Sequence, residues 1–202
     1  MLSTLRRQTG VGLRLLLVFT VLCGVVYPLA VWGVSRVFPA AEGSTITRDG
    51  TVVGSSLIGV DPVAADPAAD PYFHTRPSAS SEDALGPADT STSGGSNKGG
   101  FDEDLLSTVA ERRALVAERE GVAPEAVPAD AVAASASGLD PDISPEYAAL
   151  QVDRVARVTG LPVADVERLV AEETSGRVLG FLGEPHVDVT ELNLAVAAET
   201  GR

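Results

Sequence analysis

From Leu15 to Val34 the chain reads LLLVFTVLCGVVYPLAVWGV, twenty residues without a charge and with Thr20 as the only hydroxyl besides Tyr27. At about 1.5 Å per residue this run forms a helix about 30 Å long, the thickness of a bilayer's hydrocarbon core, and a helix is the single-segment solution that satisfies its own backbone there. The sequence therefore predicts a membrane helix over 15–37. Arg6, Arg7 and Arg14 precede the run whereas Arg36 alone follows it closely. That asymmetry of positive charge makes 1–14 a cytoplasmic stub and puts 38–202 on the far side of the membrane. A cleaved signal peptide is the rival reading, but the apolar run is long for one and Phe38 interrupts the small-residue pattern near Ala40. Pro28 removes one helical hydrogen bond and is expected to kink the helix unless a neighbouring helix supports it. Gly24 and Gly33 are either close-approach points for such a neighbour or ordinary membrane-helix composition.

Residues 38–202 suffice for one domain with a modest core, or for a domain interrupted by a long loop. Without the four arginines around the apolar run, 11 basic residues face 28 acidic ones, a balance of −17. That balance excludes nucleic acid as a partner. It either gathers cations diffusely or simply keeps the domain soluble. The one cysteine, Cys23, lies in the apolar run, so the domain has neither a disulfide nor a thiol nucleophile. His74 and His186 stand far apart, so no zinc site and no metal catalysis is expected.

Along the domain, Asp49-Gly50 between Ser44-Thr-Ile-Thr and Thr51-Val-Val is a β-hairpin signal. Asp61-Pro62, Asp66-Pro67 and Asp70-Pro71 then break every regular pattern, and 61–100 reads as a long loop whose block Tyr72-Phe-His-Thr-Arg-Pro-Ser78 is too specific for simple disorder. Helical spacing returns behind the acidic cap Asp102-Glu-Asp104 and stops at Gly121. Ser144-Pro145-Glu146 reads as an N-cap, a proline at the first helical position and an acid in the first turn, predicting a helix over Pro145–Thr159 ended by Gly160. A further helix carries Val166, Leu169 and Val170 and ends near Gly176. A short apolar strand, Val178–Leu182, follows, and Asp188 with Glu191 makes a capping box for a last helix. The expected class is α+β: one N-terminal transmembrane helix, then a single domain with a small sheet and several helices.

No phosphate loop, nucleophile elbow or histidine–carboxylate pair beside a nucleophile is legible, and no catalytic residue is assigned. Ser93, Gly94, Gly95, Ser96 and Asn97 form either an anion-cradling nest or a flexible linker of the same composition. Asp140 and Asp142 are either paired carboxylates or parts of an Asp-Pro turn leading into the helix. Arg76 grips a carboxylate or a partner's carbonyls, or else bridges the long loop to the core. His74 beside Phe73 reads as a packed, satisfied histidine.

Several strings coincide in order and spacing: Tyr27-Pro28-Leu29, Gly54-Ser-Ser-Leu-Ile-Gly59, Tyr72-Phe-His-Thr-Arg-Pro-Ser-Ala79, Ser93–Asn97, Ala134-Ser-Ala-Ser-Gly-Leu-Asp-Pro-Asp-Ile-Ser-Pro145, Gln151-Val-Asp-Arg-Val-Ala156 and Leu192-Asn-Leu194. Together they closely resemble the KdpC family, the C subunits of Kdp potassium-transporting ATPases. The resemblance implies a non-catalytic accessory subunit working with a channel-like potassium-binding subunit and a P-type subunit that hydrolyses ATP. It implies a role in assembly and stability, and that of a catalytic chaperone raising the hydrolysing subunit's ATP affinity. ATP, not tightly bound, would meet Ser93, Gly94, Gly95, Ser96 and Asn97, a loop likened to the signature loop of ABC transporters. Tyr27, Pro28, Arg76, Ser137, Gly138, Asp140 and Pro141 belong to its structural and partner-facing motifs. Val60 stands where the family usually has Gln, and Asp142 where His is common, so roles tied to those side chains do not carry over.

A domain outside the membrane meets almost no ATP. The topology therefore favours stabilisation of the channel-like subunit and shaping of the cation path, with any effect on ATP affinity carried through membrane helices. A free-standing, membrane-anchored domain for an extracellular solute or protein is the alternative. An external hydrolase would require His74 or His186 to converge with Asp140 and Ser137.

Overall fold

The computed structural model describes residues 2–38, 43–48 and 50–201, in two compact units, 1–44 and 45–202. Ala40 of the cleavage alternative and Asp49 of the expected turn lie outside the described residues.

The first unit contains one run of helix from Leu2 to Ser35. Among the described residues it is the helix long and apolar enough to cross a membrane. It consists of α1 (Leu2–Val21), a π-helical turn (Leu22–Val26) and α2 (Tyr27–Ser35). The π turn is the helix's answer to Pro28. The Tyr27 N–H reaches back five residues to the Leu22 carbonyl, which widens the helix just where the proline ring would press on the preceding turn.

The second unit opens with a hairpin, β1 (Thr45–Arg48) and β2 (Thr51–Ser55), antiparallel with Arg48 opposite Thr51 and a register shift between Ile46 and Thr47. Gly50 in the turn has φ +78°, as a tight hairpin turn requires. Three helices are bounded as their capping residues dictate. Helix α3 (Glu103–Glu120) starts where Asp102 accepts from the Leu105 N–H and stops at left-handed Gly121. Helix α4 (Pro145–Thr159) starts where Ser144 accepts from the Tyr147 N–H and ends at Gly160, φ +80°. Helix α6 (Val189–Thr200) starts where Asp188 accepts from the Glu191 N–H. Helix α5 (Val163–Glu172) stops short of the expected Gly176, because Thr174 and Ser175 leave it to form a strand.

That strand, β4 (Thr174–Ser175), joins β3 (Asp142–Ile143) and β5 (His186–Asp188) in an antiparallel sheet of order β3-β5-β4. The apolar run Val178–Leu182, expected as a strand, is instead a reversal between β4 and β5. Leu179 (φ +56°) and Gly180 (φ +81°) turn the chain there, and the ladder forms from its polar flanks. The core gathers on α4, whose Tyr147, Ala148, Val152, Val155 and Ala156 meet Val166 and Leu169 of α5, Leu192 and Val196 of α6, and Ile143 and Val187 of the sheet. With each buried large apolar side chain contributing about 1.5–3 kcal/mol, this cluster stabilises the unit without a disulfide. The class is α+β.

Residues 56–102 contain no α-helix or strand, only a single turn of 3-10 helix at Pro67–Ala69, yet they are not peripheral. Phe73 is fully buried in the core, and Asp70, His74 and Ser78 are buried with it.

Candidate functional site

A buried, irregular backbone has no ladder to satisfy its amides and carbonyls, so side chains must. Two side-chain amides do this for the Tyr72–Ser78 block. Asn193 of α6 accepts from the Phe73 N–H and donates to the Phe73 carbonyl, both at 2.8 Å. Gln151 of α4 treats His74 in the same way, at 2.8 and 3.3 Å. Each mimics one rung of a β-ladder. Arg154, one helical turn on, donates to the carbonyls of Asp70 and Tyr72 and to Gln151 Oε1, and pairs with Glu120 at 2.9 Å. Glu120 also holds Arg119, whose other nitrogen donates to the Tyr147 hydroxyl. On α3, buried Arg112 collects the carbonyls of Ser78, Ala84 and Val132.

His74 sits between two carboxylates, Nδ1 at 2.9 Å from Asp61 and Nε2 at 2.5 Å from Asp70. Burial alone would lower its pKa, but the hydrogen bonds to Asp61 and Asp70 outweigh that and hold it above the ordinary 6.5. Burial pushes Asp70 the other way, and its bond to His74 brings it below 3.8. Both ring nitrogens thus face carboxylate oxygens, and the protonated ring donates to both acids, which makes His74 a satisfied histidine that ties the Asp61–Asp70 segment to the block.

Arg76 has other partners. Its guanidinium donates to Asp140 at 3.1 Å and to the Ala134 carbonyl at 3.5 Å, with both side chains partly exposed. Asp140 in turn accepts from the Asp142 N–H, so it closes the Asp-Pro turn and holds Arg76 at once. Ser135 Oγ accepts from the N–H groups of Gly138 and Asp140. The Ser137 carbonyl accepts from the Gly94 N–H at 2.8 Å and from Ser93 Oγ at 3.0 Å. The serine–glycine loop is therefore seated on the 135–138 turn rather than free as a linker. A Cβ on Gly138 (φ +74°) would lie 2.9 Å from the Gly94 carbonyl, and one on Gly95 would lie 3.0 Å from that of Ala136. Ser96 and Asn97 remain exposed, Asn97 with φ +54°. The Pro141 carbonyl accepts from the Val189 N–H at the start of α6. The turn at 135–141 is thus where Arg76, Ser137, Gly138, Asp140, Pro141 and Ser93–Gly95 meet. Tyr27 and Pro28 belong to the other unit.

Two open clefts, of about 410 and 450 Å³, share Asp142 and His186. The first adds Arg76, Asp130, Asp140 and Glu184. The second adds Glu172, Glu173, Asp188 and Glu191. Burial first, then repulsion from Glu191 and Asp142, pushes Asp188 up to about 6 against the pull of its backbone hydrogen bonds. Asp142 and Glu173 are raised by burial and by the same crowding of acids. No group of three or more His, Cys, Asp or Glu among the described residues is arranged to hold a metal ion. Of the parts named for a hydrolase, His186 and Asp140 line one cleft, but Ser137 is not among its lining residues. The Ser137 hydroxyl bonds to Ser135 and to the Leu139 N–H, His74 is occupied by its two acids, and His186 faces Asp142 at 4.0 Å.

The arrangement is a clamp whose parts lie far apart in the chain, and comparison with known proteins covers nearly all of it. A family model described as KdpC, the K+-transporting ATPase c chain, matches residues 9–198. The chain belongs to the KdpC family. It is 50% identical to the potassium-transporting ATPase KdpC subunit of Kineococcus radiotolerans over 196 residues, 96% of this chain and 95% of that one. It is 47% identical to the KdpC subunits of Streptomyces avermitilis, over 94% and 93% of the two chains, and of Mycobacterium tuberculosis, over 95% and 98%. Val60 is exposed, and Asp142 lines both acidic clefts. Reading the sequence chemically did not single out Gln151, Arg154, Asn193 or Arg112. The available signal was a polar residue on an apolar face, since Gln151 lies in the stripe of Ala148, Val152 and Val155.

Proposed function

We propose that this chain is the accessory C subunit of a potassium-transporting ATPase. In this reading 1–14 is cytoplasmic, 15–37 crosses the membrane, and the domain within 38–202 stands outside beside a channel-like potassium-binding subunit. It would be required for assembly of the complex with the P-type subunit. The observation that carries the reading is the span of the family match, residues 9–198, which takes in both the apolar helix and the whole clamp. The acidic clefts around Asp142 and Asp188 support a role in drawing cations toward the channel-like subunit, an effect spread over about 8–10 Å rather than selective for one ion.

A catalytic-chaperone effect on ATP affinity is then a coupling free energy between sites on opposite sides of the membrane, carried by helices that shift together. Direct nucleotide contact at Ser93–Asn97 is the second reading. It is favoured by the solvent-facing position of Ser96 and Asn97, and opposed by the topology and by the use of Ser93 and Gly94 within the fold. The test is purification through a C-terminal tag, in mild detergent, from potassium-starved cells, followed by a potassium-stimulated ATPase assay. Recovery of a P-type ATPase with a channel-like protein is the expected result. Recovery of the chain alone, with normal potassium uptake after its deletion, makes it a free-standing anchored binding domain.

A further inference from the structure

Between β4 and β5 the chain projects a closed, apolar tip. Thr174 pairs with Val187 and Ser175 with His186. An ion pair between Arg177 and Glu184 closes the neck. Beyond it, the N–H and carbonyl of Val178 exchange two 2.9 Å hydrogen bonds with those of Leu182, and the Gly180 N–H bonds to the Arg177 carbonyl at 3.0 Å. This is an ordered turn. It nevertheless holds Val178, Leu179, Phe181 and Leu182 in solvent, 64, 79, 68 and 49% exposed. Scattered apolar surface residues need no explanation, but four within five residues, fixed by a ladder and a salt bridge, do. Leu179 also adopts φ +56°, a conformation disfavoured for a residue with a Cβ. Asparagine or glycine would suit that backbone better, so the leucine sits there at a conformational cost.

Two occupants are conceivable, lipid or protein, and charge decides between them. Segments that enter a bilayer surface carry a basic rim and often Trp or Tyr, to suit anionic headgroups and the interface. Residues 177–184 hold no Trp, Tyr or Lys, and the one arginine is paired with Glu184. The strands at the base of the tip border the cleft of Glu172, Glu173, Asp188 and Glu191. That surface repels an anionic membrane and suits a protein groove with an apolar floor and a basic margin. We infer that the 178–182 tip is a docking knob, with Leu179 and Phe181 as its anchors, for an apolar, basic-rimmed groove on the outer face of a membrane subunit of the same transporter. This rests on the accessory-subunit reading above.

The test uses the full chain expressed with the rest of its transporter in native membranes. A photo-crosslinking residue replaces Leu179, Phe181 or, as a control outside the tip, the 70% exposed Val63. Alongside, the tagged L179S/F181S variant is compared with wild type for the half-time of ATPase retention in mild detergent. Both positions are fully folded in the protein's own hairpin and exposed, so the serines leave the core intact. The expected result is a protein adduct from 179 and 181 but not from 63, and a half-time shortened about tenfold or more, as for loss of an interface hot spot. Lipid adducts only, equal yield at 63, or an unchanged half-time overturns the knob while leaving the accessory role standing. If the wild-type chain retains no ATPase at all, the accessory-subunit reading fails, and the knob fails with it.

Discussion

His74 shows how one side chain can make the fold respond to pH. Its pKa is held above 6.5 in the folded chain, so the stabilisation it provides is complete below about pH 6.5 and is lost as pH rises through the folded value. Asp70, held below 3.8, contributes in the opposite window, losing its stabilisation as pH falls through its folded value. The stability of the full chain in detergent should therefore decline as pH rises above about 6.5, the ordinary histidine value. In His74→Gln the unfolding free energy should start lower, by about 3 kcal/mol for a broken buried pair, and lose most of that decline. Parallel curves for the two proteins would show that the imidazolium is not the titrating group. Gln151 makes a related point without charge. Gln151→Leu keeps volume and apolar character on the inner face of α4, yet strands the buried N–H and carbonyl of His74 and one donor of Arg154. Three unpaired buried groups at about 1–3 kcal/mol each predict a loss of about 3–9 kcal/mol in chemical denaturation. A loss under about 1 kcal/mol would mean that water replaces the amide.

At the scale of elements, the irregular segments are positioned by close backbone approach, and glycine sets the limit. A Cβ on Gly59 would stand 2.5 Å from the Asp140 carbonyl oxygen and 2.8 Å from Pro141 Cα, both rigid backbone. The Gly59 N–H meanwhile donates to the Leu139 carbonyl. Gly59→Ala should thus separate the segment after β2 from the 139–141 turn, destabilising by about 2 kcal/mol or more, whereas Gly176→Ala, with open space and ordinary φ, should stay within about 0.5 kcal/mol. Amide exchange at Gly59 and Leu139 in the two variants separates these outcomes. Equal protection in both would place the hairpin's support elsewhere. The same contrast explains which elements were legible in the sequence. Helices α3, α4 and α6 announce themselves because Asp102, Ser144 and Asp188 cap them through contacts only three residues apart. Residues 61–100 read as a loop because nothing periodic marks them; their partners Gln151, Arg154 and Asn193 lie some eighty to a hundred and twenty residues away. The Val178–Leu182 run reads as a short apolar strand because hydrophobicity alone cannot separate a residue meant for this core from one held outside it. The Arg76–Asp140 pair was legible as chemistry but not as a contact, since no spacing rule joins positions 76 and 140.

For the molecule as a whole, the side of the membrane on which the domain stands decides which mechanism is available. Three arginines before the apolar helix against one close after it favour a cytoplasmic N-terminus. The loop of Ser93–Asn97 would then face a compartment without ATP, and an effect on nucleotide affinity would have to be transmitted by the helices. Because Cys23 is the only cysteine in the chain, Cys23→Ser provides a clean background for a single reporter thiol. Ser91→Cys supplies one at an exposed position two residues before the loop. A membrane-impermeant maleimide applied to intact cells should label this thiol fully, and permeabilisation should add nothing. Replacing Arg6, Arg7 and Arg14 together with glutamine should weaken that labelling, because each removed cation weakens the bias that sets orientation. Labelling that appears only after permeabilisation would reverse the domain's side. In that case Ser96 and Asn97 would face cytoplasmic ATP, direct contact would replace long-range coupling as the simpler mechanism, and the acidic clefts would lose their place on the path of incoming potassium.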